Sequence, residues 1–264
     1  MKEPGRKNTT DSFMWVYTSI KDSKKPVRIF KYCAGRSGNF AKEFLGEKYS
    51  GYVHTDAYAG YGKVPNITRC YCWAHLRRYF VDAIEKGLAN PSETIPGVAI
   101  KKIGEIFEAD KQLNDLPEDK RYIQRLDKVK PLIEAFWSWV DSVPQNEITG
   151  SKLKKALFYA SNHKTEFMNF LKDGNCSLSN NLAENSIRPF TIGRKNWLFS
   201  GSPKGAEASA GVYTLIETAK ANGLNPRKYI EYILGDIPGS AFKENPEFLE
   251  DYLPWNPTVQ ELCK

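Results

Sequence analysis

Long apolar runs are missing from this 264-residue sequence; the longest span only a few residues. A helix that crosses a bilayer needs about 20 predominantly apolar residues, so no membrane span is expected. The first ten residues, MKEPGRKNTT, lack the apolar core of a secretory signal. Cysteine is scarce and odd in number: five residues, at 33, 70, 72, 176 and 263, with no disulfide framework in their spacing. A reducing, cytoplasmic setting is the expectation. A glycine-rich phosphate loop is also lacking, because GRSGN at 35–39 has neither the Walker lysine nor the dinucleotide spacing. Neither a helix-turn-helix nor a paired Cys/His finger stands out, and no repeat or low-complexity tract is visible.

Positive charge, by contrast, is in excess. The chain carries 38 Lys and Arg against 31 Asp and Glu, a net charge of +7 and a sequence pI near 9.0. That balance favours a polyanionic partner, with nucleic acid first. Hydrophobic residues make up 41% and charged residues 26%, which argues against global disorder. The length suits one large domain or a domain with a sizeable insertion.

The first quarter reads as strands. FMWVYTSI (13–20) and VRIFKYC (27–33) are β-rich runs separated by a polar, proline-containing turn, which predicts an antiparallel hairpin. Residues 37–49 predict a helix with Ser37 as N-cap and Phe40, Phe44 and Leu45 on its buried side. A strand ending at Asp56 follows, then a strand over ITRCYCW (67–73) and a helix from about His75 to Gly87. This order predicts an α/β sheet of mixed strand direction. From about 97 to 173 the strand signal vanishes, and apolar residues recur at helical spacing. Two sets carry that pattern: Leu132, Ala135, Phe136, Trp139, Val140 and Val143, and then Leu153, Ala156, Leu157, Ala160, Phe167 and Leu171. Pro117, Pro131 and Pro144 punctuate this helical segment as starts or kinks. A small-residue helix is expected over about 204–222, ending at Asn222-Gly223, and another starting from Asn225 and Pro226. DYLPWNP near the end reads as a docked extended segment.

Three stretches could carry chemistry. In GYVHTDAYAGY (51–61), alternation puts Tyr52, His54 and Asp56 on one strand face. Asp56 is then either a strand-end acid opening a turn or one member of a site assembled with other acids. In SNNLAENSIRPF, Asn181 and Glu184 have capping-box spacing. Yet Arg188, Arg194, Lys195, Asn196 and Trp197 follow closely, and a carboxylate before cations, amides and an aromatic suits phosphate and metal handling. The two readings coexist, since a helix start is a rigid place for a carboxylate. In CYCWAHLRR, Cys70, Cys72 and His75 fall short of a closed zinc site, which needs four ligands. His54 and His163 have no partner that the sequence identifies.

Taken together, EPGRK, MWVY, TDAYAGY, CWAHLRRYF, NNLAENSIRPF, IGRKNWLFSGS, LIETAKANGLNP and LPWN resemble, in order, the transposases of the insertion sequence 66 family. The resemblance implies a ribonuclease-H-like (retroviral-integrase-like) fold whose mixed sheet and helices are interrupted by an all-helical insertion. It implies catalytic-core segments at 1–87 and 177–235, the insertion at 88–176 and a C-terminal tail at 236–264. It also implies a DDE triad that holds two divalent ions, Mg²⁺ or Mn²⁺, for DNA strand cleavage and transfer. Asp56 matches the second acid and Glu184 the last, both as metal ligands. Cys72 and His75 match a Cys-x-x-His pattern expected to support the site. Asn181, Arg188, Arg194, Lys195 and Trp197 match expected DNA contacts.

The family's first acid lies on a strand upstream of EPGRK, and neither Asp11 nor Asp22 matches its position. The expectation is therefore a truncated, inactive copy, or alternatively a non-catalytic DNA-binding or assembly module derived from a transposase. Transposon ends and target DNA are the expected partners, with a homo-oligomer or a full-length transposase copy besides. The expected location is the cytoplasm, on the nucleoid when DNA is bound.

Overall fold

A computed structural model describes residues 5–7, 10–148, 150–198 and 200–264. Glu3 and Pro4 of the EPGRK stretch lie outside the described residues. The chain is mixed α/β and mostly helical, and it divides into two compact units, residues 1–37 with 182–264 and residues 38–181.

The first unit begins with the expected hairpin. Strands β1 (Phe13–Thr18) and β2 (Arg28–Cys33) pair antiparallel, from Phe13 opposite Cys33 to Thr18 opposite Arg28. Aromatic and β-branched residues make up most of β1 and half of β2, as a pleated, half-buried surface favours.

The second unit opens with helix α1 (Gly38–Leu45), shorter than the sequence suggests because Gly46, at φ +74°, ends it in the left-handed region. Phe40, Phe44 and Leu45 are half-buried, whereas Gly38 and Ala41 are fully enclosed. A Cβ on Gly38 would sit 1.8 Å from the Gly60 carbonyl oxygen, so the glycine of GRSGN serves close backbone packing. Strands β3 (Gly51–Thr55) and β4 (Ile67–Tyr71) then pair parallel, with His54 opposite Cys70 and Thr55 opposite Tyr71. The four strands form two separate two-stranded sheets among the described residues, one in each unit.

Helix α2 (Trp73–Ala83) starts earlier than expected and stops at Ile84, whose backbone turns extended before Gly87 is reached. Helices α3 (Ile95–Lys111), α4 (Glu118–Gln124), α5 (Lys130–Ser142), α6 (Ser151–Asn162) and α7 (Lys164–Met168) complete this unit. Trp73 lies at its centre, fully buried, with Phe136, Trp137 and Phe167 at ring distances of 5.4 to 5.6 Å. Its indole N–H donates to the Phe167 carbonyl at 3.0 Å, which satisfies the one polar atom such burial would strand.

A π-turn over Arg125–Val129 joins α4 to α5, with Pro131 in the first turn of α5. The buried stripe of α5 runs through Ile133, Phe136, Trp137 and Val140. Ala135 is exposed, and Leu132 and Trp139 are only half-buried, contrary to the sequence-based stripe. The second stripe, from Leu153 to Leu171, is buried at every expected position.

The chain continues into α8 (Asn181–Trp197), α9 (Pro203–Ala221), α10 (Pro226–Asp236) and α11 (Pro257–Leu262). Asn225 caps α10 as expected, accepting from the Arg227 and Lys228 amides. The tail is docked but not extended: Pro246–Tyr252 forms a 3₁₀ helix before α11. Tyr252, Val259 and Cys263 join Tyr229 and Ile233 in a small core, because apolar side chains at helical spacing need one buried face.

Candidate metal- and DNA-binding residues

Asp56 follows directly on β3, half-buried, at the end of a parallel strand pair. Its Oδ1 accepts the Tyr58 amide at 3.1 Å, so it does open a turn. Arg69 on β4 fastens that turn, donating through Nη2 to the carbonyls of Asp56 (3.2 Å) and Tyr58 (2.9 Å). The guanidinium lies 4.6 Å from the Tyr71 ring centroid, and Asn169 in turn donates to the Arg69 carbonyl at 2.8 Å. A fixed cation beside the acid is thus part of this site. In the sequence its only signal is an arginine interrupting a β-rich run.

Cys72 is buried at the N-cap position of α2, and its amide donates to the Thr55 carbonyl at 3.2 Å. The bond extends the β3–β4 ladder by one step and fixes the residue immediately before Asp56. His75 stands in the first turn of α2, its amide bonded to the Cys72 carbonyl at 3.1 Å. The Cys-x-x-His stretch therefore braces the strand exit through its backbone.

Cys70 is directed elsewhere. With His54 and Cys176 it forms a cluster whose ligand-capable atoms all lie within 4.8 Å of one another. The hydrogen bond with Cys70, and burial after it, push the Cys176 thiol pKa well above its usual range.

In the other unit, Glu184 occupies the first turn of α8, half-buried. The helix begins at Asn181 itself, which is exposed, so the cap position falls one residue earlier than expected, on Asn180. Steps of four and seven place Glu184, Arg188 and Lys195 on one stripe of α8, with both cations exposed. Arg194 closes the helix end, donating through Nε to the Leu198 carbonyl at 3.1 Å. Leu198 itself has φ +62°, the left-handed geometry of a helix stop. Trp197 is 41% exposed and packs against Phe190 (6.0 Å) and Tyr213 (6.2 Å). Beside it lies a cavity of about 500 Å³ floored by Gly201, Gly205 and Ala208. The indole is thus an anchored wall with one free face.

The geometry defines a mixed α/β protein in which each unit offers one of the two matched acids, next to a fixed or exposed cation. The chain belongs to the IS66 transposase family: the family described as "Transposase IS66 family" matches residues 1–208, and the "IS66 C-terminal element" matches residues 214–255. Among curated proteins it is similar to the uncharacterized proteins y4hP, y4qI and y4jD of Sinorhizobium fredii. These are 28%, 28% and 27% identical over 95%, 96% and 96% of this chain and 48%, 48% and 51% of their own lengths. The chain spans about half the length of the curated relatives it matches. No solved structure matches it. Among the described residues, no helix is long and apolar enough to cross a membrane.

Proposed function

We propose that this chain acts on the DNA of an insertion sequence as the core of a DDE-type transposase. The reading includes a ribonuclease-H-like arrangement interrupted by the helical segment 88–176, with the core at 1–87 and 177–235. The family match over nearly the whole chain carries it. Asp56 and Glu184 are the proposed metal ligands. Both are hard carboxylate oxygen donors, half-buried, one at a strand exit and one in the first turn of a helix, a donor chemistry that fits Mg²⁺ or Mn²⁺ and not a soft ion. When bound, such ions activate an attacking oxygen and steady the leaving oxygen of a phosphodiester. The protein's own part is orientation. The ladder bond from Cys72 and the clamp of Arg69 hold the Asp56 turn in place. Arg188 and Lys195 supply phosphate contacts along the stripe that carries Glu184, while Asn181 and Arg194 flank it at the helix ends. The free face of Trp197 offers stacking for an unpaired base.

The test is affinity cleavage. Fe²⁺ in place of Mg²⁺, with ascorbate and peroxide, should cut the polypeptide near both residue 56 and residue 184. Asp56→Asn or Glu184→Gln should abolish both cuts. Cuts near one acid that persist without the other would end the shared-metal reading. Insertion-sequence-end DNA bound without metal-dependent cleavage would leave the chain as a binding or assembly module.

A further inference from the structure

We infer that His54, Cys70 and Cys176 form a second, soft metal site that takes a thiophilic d¹⁰ ion such as Zn²⁺. The observation is geometric. His54 and Cys70 are register partners on the parallel strands β3 and β4, so their side chains leave the same face side by side. Cys176 reaches them from the loop after Leu171, and the three ligand atoms lie within 4.8 Å of one another.

That loop is held from behind. Arg121 Nη1 donates to the Gly174 carbonyl at 3.2 Å, and Arg125 Nη1 to the carbonyls of Asp173 and Gly174 at 3.3 Å. The Asp173 carboxylate accepts the Asn175 amide at 2.7 Å, and the Cys176 amide closes the turn on the Asp173 carbonyl at 3.2 Å. Two ligands on paired strands and a third on a gripped turn are a pre-formed set.

The donor chemistry sets the class of ion. Two thiols and one imidazole favour Zn²⁺ or Cu⁺ over the hard cations that carboxylates prefer. Bond lengths of about 2.3 Å to sulfur and 2.0–2.1 Å to nitrogen at a tetrahedral ion require the three atoms to close by at most about 1.2 Å. His54 Nε2 is the atom with the lone pair, since it accepts the Ser177 amide at a long 3.3 Å. An ion taking that lone pair frees the amide for a neighbouring thiolate, as outer-shell donors commonly do. Cys72 and His75, the other members of the sequence cluster, stay with the strand exit. Three protein ligands leave one open coordination position.

The test uses the full reduced chain, stripped of metal and loaded with one equivalent of Zn²⁺ or Co²⁺. X-ray absorption of the zinc form should show two sulfurs near 2.3 Å and one nitrogen near 2.0 Å. The cobalt form should show thiolate charge-transfer absorption that Zn²⁺ displaces. Zinc at a hundredfold excess over Kd should raise Tm by about 5 °C or more. Cys70→Ser or Cys176→Ser should weaken uptake at least tenfold, and Cys33→Ser and Cys263→Ser should not. A shell of oxygen and nitrogen alone overturns the site, whether or not the variants fold. So does uptake that survives loss of both Cys70 and Cys176.

Discussion

The two units are stabilised in different ways. Residues 38–181 enclose a continuous aromatic core around Trp73 and, behind it, two buried arginines. Arg125 meets Asp110 in a two-point pair at 2.6 and 3.3 Å, and Arg121 spreads its donors over the carbonyls of Leu113, Asn114, Leu116 and Gly174. Residues 1–37 with 182–264 hold a smaller core, around Tyr229, Ile233, Tyr252 and Val259. Their hairpin is held by side-chain-to-backbone hydrogen bonds. Thr214 and Thr218 of α9 accept the Phe30 and Arg28 amides at 2.9 and 3.1 Å, and Thr218 donates back to the Arg28 carbonyl at 3.1 Å. Asn222, one turn further along, donates to the Pro26 carbonyl at 2.8 Å. A helix thus satisfies the edge of β2 as a neighbouring strand would. One unit depends on shape and buried charge, the other on a row of hydroxyls.

The sharpest way to break the contrast is in the helical unit. Trp73→Ala should cost about 3–5 kcal/mol, read by denaturant unfolding, since it empties a large site and strands the Phe167 carbonyl. Asp110→Ala should cost a similar 3–5 kcal/mol, because it leaves Arg125 charged and buried without its carboxylate. Adding Arg125→Met to Asp110→Ala should recover part of that loss. In the other unit, Thr218→Val should cost less, about 1–3 kcal/mol, by leaving the amide and carbonyl of Arg28 unpaired. Hydrogen exchange at the Arg28 amide should accelerate while amides of residues 38–181 stay unchanged.

A smaller effect depends on pH. Burial first, with Cys263 a lesser cause, pushes the Tyr229 hydroxyl up to about 12, and that hydroxyl donates to the Tyr252 carbonyl at 3.0 Å. A folded pKa above the unfolded value of about 10 contributes stability that is complete below pH 10 and lost between about pH 10 and 12. Unfolding followed by tyrosinate absorbance should show that loss, and Tyr229→Phe should flatten it. Smallest in energy is the proposed DNA contact of α8. Arg188→Ala with Lys195→Ala should lower the slope of log K against log salt by about 2 in a binding titration.

Much of this organisation is legible in the sequence. The hairpin shows in its β-rich runs, and the α9–α10 junction in Asn222-Gly223 and Asn225-Pro226. Each is a local signal. The stripe of α5 is misread in part because apolar residues occupy both flanks of Phe136 and Val140, and periodicity does not tell Ile133 and Trp137 from Leu132 and Trp139. Arg121, Arg125, Thr214 and Thr218 are silent in sequence, since their partners lie on other elements, and Arg69 shows only as a charge inside a β-rich run. Of the candidate site, the residue types and their stations are legible: an acid at a strand exit, an acid in the first turn of a helix, and cations one and three turns beyond it. The cluster of His54 with Cys70 and Cys176 is not, because only strand register and a distant turn bring it together.

The threonine row on α9 also has a consequence in time. Thr218 meets Arg28 across 190 positions of chain. At about 5–20 residues per second, a ribosome takes roughly 10–40 s to travel that distance. Throughout that interval β2 has emerged with one flank unsatisfied, and only the synthesis of α9 closes it. The hairpin is made some 190 residues before it is made safe, an interval in which the edge of β2 is open to pairing with another chain.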